Sequence, residues 1–176
     1  YYFGFEQQEV EPDIVVLGKP IGNGHPIGVV ITSKEIAASF AKGPEFFSTF
    51  GGSTLSCLIG REVLEIIDEE HLQRNASIMG KKLLTGLKEM QNKFPQIGDV
   101  RGMGLFCGVD LVKDRDSHEE DHELCSYIKN RMRDYRILMG SEGPKDNILK
   151  IRPPLSIDEE GIDMILFHLE KILREI

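Results

Sequence analysis

Two short apolar runs, "DIVVLG" at 13–18 and "IGVVIT" at 27–32, form the first ordered pattern along the chain. Each is continuous rather than alternating, as in a strand covered on both faces. Thr32 and Glu35 have capping-box spacing and predict a short helix over 33–42. A turn-rich stretch, "GPEFFSTFGGS", follows at 43–53. From Ser53 to about Glu70, Leu55, Leu58, Ile59, Val63, Ile66 and Ile67 recur at helical spacing. Met79, Leu83, Leu87, Met90 and Phe94 do the same over 72–94, and Pro95 stops that second helix.

Beyond it, "IGDVRGMGLFCGVDLV" at 97–112 reads as paired strand, with "GLFCGVDLV" as the main one. The acidic "SHEEDHE" at 117–123 is a solvated lead into a helix near 121–134. "RILMG" at 136–140 and "NILKIRP" at 147–153 predict two more short strands, halted by Pro153-Pro154. Ser156 and Glu159 have the spacing to cap a last helix carrying Ile162, Ile165, Leu166, Leu169, Ile172 and Leu173. The organisation changes near residue 75. Residues 1–75 read as the end of an α/β domain plus a long helix, and 76–176 as a small α+β unit. Two strands and a helix cannot close a core, so the first part reads as cut from a larger domain.

Composition narrows the function. The 176 residues are long enough for a real core, and 40% hydrophobic with 28% charged is ordinary for a globular protein. A formal net charge of -8 argues against nucleic acid as the main partner, because phosphate backbones need a basic surface. No apolar run approaches the ~20 residues of a membrane span, and "YYFGFEQQEVEPD" at 1–13 lacks the regions of a secretory signal. Cys57, Cys107 and Cys125 are widely spaced and odd in number, which fits reduced, packed thiols and a cytoplasmic setting. No spacing marks a metal site. His118 and His122 stand four apart, but without a third ligand they read as a solvated helix start.

The loop "GKPIGNGHPIG" at 18–28 raises the chemical question, because Lys19 stands at the end of an apolar strand among glycines. It is not a P-loop, which places its lysine after the glycines and before Ser or Thr. It is not a dinucleotide fingerprint either, since the glycine spacing fails. One reading is a tight loop with an exposed lysine. The other is a lysine projecting into the crevice at a strand's carboxyl end. Partial desolvation there would free its amine to attack a carbonyl such as the flat aldehyde of pyridoxal phosphate. His25 reads as orienting the loop, and Arg101 as pairing with an acid beside the sheet.

Three stretches, "EPDIVVLGKPIGNGHPIGVVITSKEIA" followed by "FFSTFGGSTLSC", "GDVRGMGLFCGVDLV" and "ILKIRPPL", occur in order across essentially the whole chain. Together they resemble the class III (subgroup II) pyridoxal-phosphate aminotransferases, which include the ornithine, 4-aminobutyrate and alanine–glyoxylate enzymes. The resemblance implies an α/β fold class. By that resemblance the fold would be the fold type I PLP-dependent transferase, here the C-terminal part of the large domain and the small α+β domain. Lys19 would then anchor pyridoxal 5'-phosphate covalently and shuttle protons during transamination from an amino donor to a 2-oxo acid or aldehyde. Thr49, with Ser48 beside it, would bind the cofactor phosphate of a partner subunit, which implies a homodimer with shared active sites. As a plain structural reading, "STFGGS" is a glycine turn with Ser53 or Thr54 opening a helix.

In "LKIRPPL" many members of the family carry arginine at the first basic position, where it forks a substrate carboxylate. Here that position is Lys150, and Arg152 follows two residues later, on the same face of a strand. Lysine is a point charge and not a fork, so the departure puts ordinary α-carboxylate recognition in doubt. The loop and this motif also resemble the branch of phospho-lyases acting on phosphoethanolamine and phosphohydroxylysine, which eliminate phosphate instead. The family's pyridinium-pairing acid, aromatic stacker and main phosphate loop lie upstream of its lysine. The expectation is therefore an enzyme as part of a longer parent, with this piece inactive alone, or a non-catalytic fragment if the chain is complete. A transit peptide on such a parent would make the location mitochondrial.

Overall fold

The structure, a computed structural model, describes residues 1–176. They divide into two compact units, Tyr1–Gln73 and Arg74–Ile176. In the first, β1 (Ile14–Leu17) and β2 (Val29–Thr32) pair antiparallel, with Leu17 opposite Val29 and Ile14 opposite Thr32. The expectation of strands covered on both faces is not met. Val16 is 73% exposed and Val30 66%, because only two strands pair and no helix of the unit covers them.

The short helix α1 (Lys34–Phe40) is capped by Ser33, whose Oγ accepts from Ile36 N at 3.3 Å. The predicted cap, Thr32, is already committed: its Oγ1 donates to Asp13 O at 2.9 Å and closes the end of the strand pair. The long helix α2 (Thr54–Glu69) starts at Ser53 as its spacing predicts, with Ser53 Oγ accepting from Ser56 N at 3.4 Å.

The second unit is helix-on-sheet. Here α3 (Leu72–Lys93), α4 (His122–Asp134) and α5 (Glu159–Arg174) accompany an antiparallel sheet. Its strands are β3 (Ile97–Met103), β4 (Phe106–Asp114), β6 (Gly140–Glu142) and β7 (Ile148–Ile151), ordered β3-β4-β7-β6, with β5 (Glu119–Glu120) beside β4. One face carries Val100, Cys107, Val109, Leu111, Leu149 and Ile151, which pack with Leu83, Leu87, Ile128, Leu169 and Ile172 of the helices in a single core. Burial in that core pushes the Cys125 thiol up to about 11. No helix of the chain is long and apolar enough to cross a membrane.

Two boundaries differ from the sequence expectation. Residues 136–139 are not strand, because they close α4. Ile137 N donates to Met132 O at 3.1 Å, with Arg136 left-handed at φ 63° between them. That is the hydrogen bond of a Schellman cap, built without the usual glycine. The strand therefore starts at Gly140. The last helix is capped by Asp158, which accepts from Gly161 N at 2.8 Å, and not by Ser156. Asn75 Nδ2 donates to Leu155 O and Ile157 O at 2.7 and 2.8 Å and so engages the backbone just before that cap.

Candidate active site

Lys19 follows β1 and opens a 3-10 turn, Lys19–Gly22, in left-handed backbone at φ 53°. A lysine in this region is strained by roughly 1–2 kcal/mol. Ile21 N donates to Gly18 O at 3.3 Å and Asn23 N to Pro20 O at 2.8 Å, which lock the turn. Gly22 is buried, and a Cβ there would come within 2.7 Å of Ile27 Cγ2, so the chain must fold back tightly. His25 Nε2 and Ser56 Oγ share a hydrogen bond of 2.9 Å, and this ties the loop to α2. The strand leading to Lys19 alternates exposed and half-buried positions, and the lysine is itself exposed.

A Cβ at Gly18 or Gly24 would meet nothing within 4 Å. The glycines beside the lysine leave room for a flat ring, and a primary amine is the group that condenses with an aldehyde cofactor. In "STFGGS", Ser48 Oγ accepts from Gly51 N at 3.1 Å and shapes the turn. Thr49 is exposed, between Phe47 and Phe50 at 82% and 85% exposure. Lys19, Ser48 and Thr49 thus all lie in the first unit, and their residue types fit pyridoxal 5'-phosphate.

Lys150 and Arg152 belong to the second unit: Lys150 lies on the face of β7 turned away from the core, and the exposed Arg152 follows just past the end of that strand. Register places Arg101 opposite Gly108, Gly108 opposite Lys150, and Lys150 opposite Gly140. Gly140 leaves room for the lysine stem; a Cβ there would be 3.0 Å from Lys150 Cε. An open depression of about 440 Å³ here is lined by Arg101, Phe106, Glu142, Ile148 and Lys150 among others. Arg101 pairs with Asp99 at 2.6 Å and Asp110 at 3.6 Å, and the Asp99 hydrogen bond raises its pKa above the usual arginine value. Lys150 Nζ pairs with Glu142, whose carboxyl its hydrogen bond holds below the usual carboxylate range. Arg152 makes no ion pair; its guanidinium carbon lies 6.0 Å from the Phe106 ring centre.

Glu142 is the residue that sequence reasoning missed. Placing the strand at 136–140 left residue 142 in a turn; with the strand at Gly140–Glu142, pairing to β7 sets it beside Lys150. The signal was the antiparallel register itself, readable once α4's own C-cap is recognised. Of the two spaced histidines, His118 is exposed and left-handed, and His122 begins α4 with Nδ1 3.9 Å from Asp146. No group of three or more His, Cys, Asp or Glu side chains is arranged to hold a metal.

An exposed lysine in a glycine loop, a hydroxyl-bearing turn and a helix-backed sheet are parts of the C-terminal portion of a fold type I transferase. A solved phospholyase from Arthrobacter, in complex with phosphoethanolamine, superposes with a TM-score of 0.95 at 37% identity, over 99% of this chain and 41% of that one. The family profile for class-III aminotransferases matches residues 1–173, and the chain belongs to that family. Among curated relatives, the alanine–glyoxylate aminotransferase 2-like protein of Drosophila melanogaster is 43% identical over 98% of this chain and 35% of its own length. The ethanolamine-phosphate phospho-lyase homolog 1 of Caenorhabditis elegans is 42% identical over 92% of this chain and 35% of its own length. The chain thus spans about a third of the curated relatives it matches.

Proposed function

We propose that these residues serve a pyridoxal-phosphate enzyme that eliminates phosphate from a small phosphorylated amine. Lys19 would anchor the cofactor, and its free amine would take a proton from the carbon bearing the substrate amine. The bond from the neighbouring carbon to the phosphate oxygen breaks, and phosphate leaves with the electron pair. Hydrolysis of the remaining unsaturated amine yields an aldehyde and ammonium. Pyridoxal 5'-phosphate supplies the electron sink for the pair left when the proton departs. Thr49, beside Ser48, binds the cofactor phosphate of a partner subunit in a homodimer. Residues 1–75 belong to the large cofactor domain and 76–176 to the small domain.

The observation that carries this reading is two cations close in sequence, Lys150 on the outer face of β7 and the exposed Arg152 just past its end, which the several oxygens of a phosphate can engage. The likeness to two phospho-lyases supports it. Transamination to a 2-oxo acid or aldehyde is the second reading, favoured by Arg152, which carries no ion pair and can fork a carboxylate.

The test uses the full-length protein. Borohydride reduction with pyridoxal phosphate should leave a pyridoxyl mass on Lys19, and Lys19→Ala should lose both the mark and turnover, by about 100-fold or more. Phosphoethanolamine and ordinary amino donors are then offered separately. Phosphate release without amino transfer supports the lyase, and amino transfer without phosphate release supports the second reading. A Lys19→Ala enzyme near the parent rate refutes both.

A further inference from the structure

The outer face of the sheet is balanced in charge, and each cation is committed differently. Arg101 is held by two carboxylates, Lys150 by one, and Arg152 by none. Glu142 is more than half exposed, at 57% of its side chain, whereas Lys150 keeps 25% with its stem against Gly140. The acid is therefore the more solvated member of the pair. Lys150 has three donor hydrogens, and Glu142 takes one of them.

We propose that Glu142 is a specificity-determining residue for the anionic end of the substrate. It holds Lys150 in a neutral pair that a doubly charged phosphate must share or displace, and so it weakens retention of free phosphate after cleavage. This rests on the phosphate-elimination reading above. While phosphate is esterified, the amine end of the substrate helps to hold it. Once cut, it depends on Lys150 and Arg152 alone, and Glu142 competes for one of them. At fixed geometry a single charge on Glu142 acts on an anion in proportion to that anion's own charge. Its removal must therefore change phosphate affinity by about the square of the change for acetate.

The experiment measures inhibition of the full-length enzyme by inorganic phosphate and by acetate, at about pH 8 where phosphate is doubly charged. The inhibited reaction is turnover of whichever amine the enzyme accepts. Glu142→Gln should lower the phosphate inhibition constant about tenfold and the acetate constant about threefold. The KM for phosphoethanolamine should fall without a rise in kcat, and added salt should shrink both effects. Glu142→Asp, which keeps the charge, should restore the parent ratio. Weaker phosphate inhibition in Glu142→Gln, equal shifts for both anions, or no shift overturns the role of Glu142. An enzyme that transfers amino groups but releases no phosphate refutes instead the reading beneath it. A lyase with an unchanged ratio refutes only the inference about Glu142.

Discussion

The two units of this chain place their apolar side chains in opposite ways. Every buried hydrophobic residue, from Leu83 to Leu173, lies in Arg74–Ile176. Tyr1–Gln73 has Ile14, Val16, Val30, Phe40, Phe46, Phe47, Phe50, Leu55 and Leu58 all exposed. Yet both units have strong periodic patterns and well-formed caps. Amphipathic spacing identifies a face that can be covered, and this chain, about a third of its relatives' length, covers only that of the second unit. The unit with a core carries the charged sheet face. The unit without one carries the lysine loop.

The comparison breaks most visibly in matched core and surface substitutions. Leu169→Ala, at a residue 1% exposed, should cost about 2–5 kcal/mol in urea unfolding of this chain. Phe47→Ala removes a larger side chain that is 82% exposed, and should change stability by no more than about 0.5 kcal/mol. Comparable losses at the two sites would mean that the first unit has a core after all.

A second substitution tests how closely the core unit is packed. Gly80 lies inside α3, where glycine-to-alanine exchange ordinarily adds up to about 1 kcal/mol of stability. A Cβ there would sit 2.2 Å from Gly104 O and 2.6 Å from Gly104 Cα, so helix and turn would have to part. Gly80→Ala should therefore destabilise, by about 1–3 kcal/mol. Thermal melts that show a gain would sink the claim of close approach.

The sequence was most readable where local and tertiary demands agree. The face of α3 through Leu83, Leu87 and Met90 follows from spacing alone, and all three are buried. It was least readable where a backbone group was already engaged from a distance. Thr32 looks like a cap but bonds to Asp13, nineteen residues away, and the chain before α5 is held by Asn75, so Asp158 takes the cap from Ser156. Arg136 ends α4 in a conformation that glycine usually signals, which hid the start of β6 and with it Glu142. On the candidate site, strand alternation places Lys150 away from the sheet core, but its partner depended on a register that only the fold defines. The left-handed backbone at Lys19 was equally hidden, since four neighbouring glycines are the obvious bearers of positive φ and only Gly24 among them has it.

That last point leads to the smallest effect and the sharpest test of the first unit. If Lys19 is held at φ 53° by its surroundings, replacing it by alanine keeps the strain while glycine relieves it. After allowance for the greater freedom of glycine in the unfolded chain, Lys19→Gly should be more stable locally than Lys19→Ala by about 1 kcal/mol. The two amides that lock the turn, those of Ile21 and Asn23, report on this directly. Their hydrogen exchange should be about fivefold slower in the glycine variant, while amides of the core unit stay unchanged. Equal protection in the two variants would mean that the turn relaxes freely, and that the unit without a core cannot hold its lysine in a strained pose. A difference confined to the turn would show instead that local bonds, with the His25–Ser56 link behind them, suffice to fix the lysine where a hydrophobic core does not.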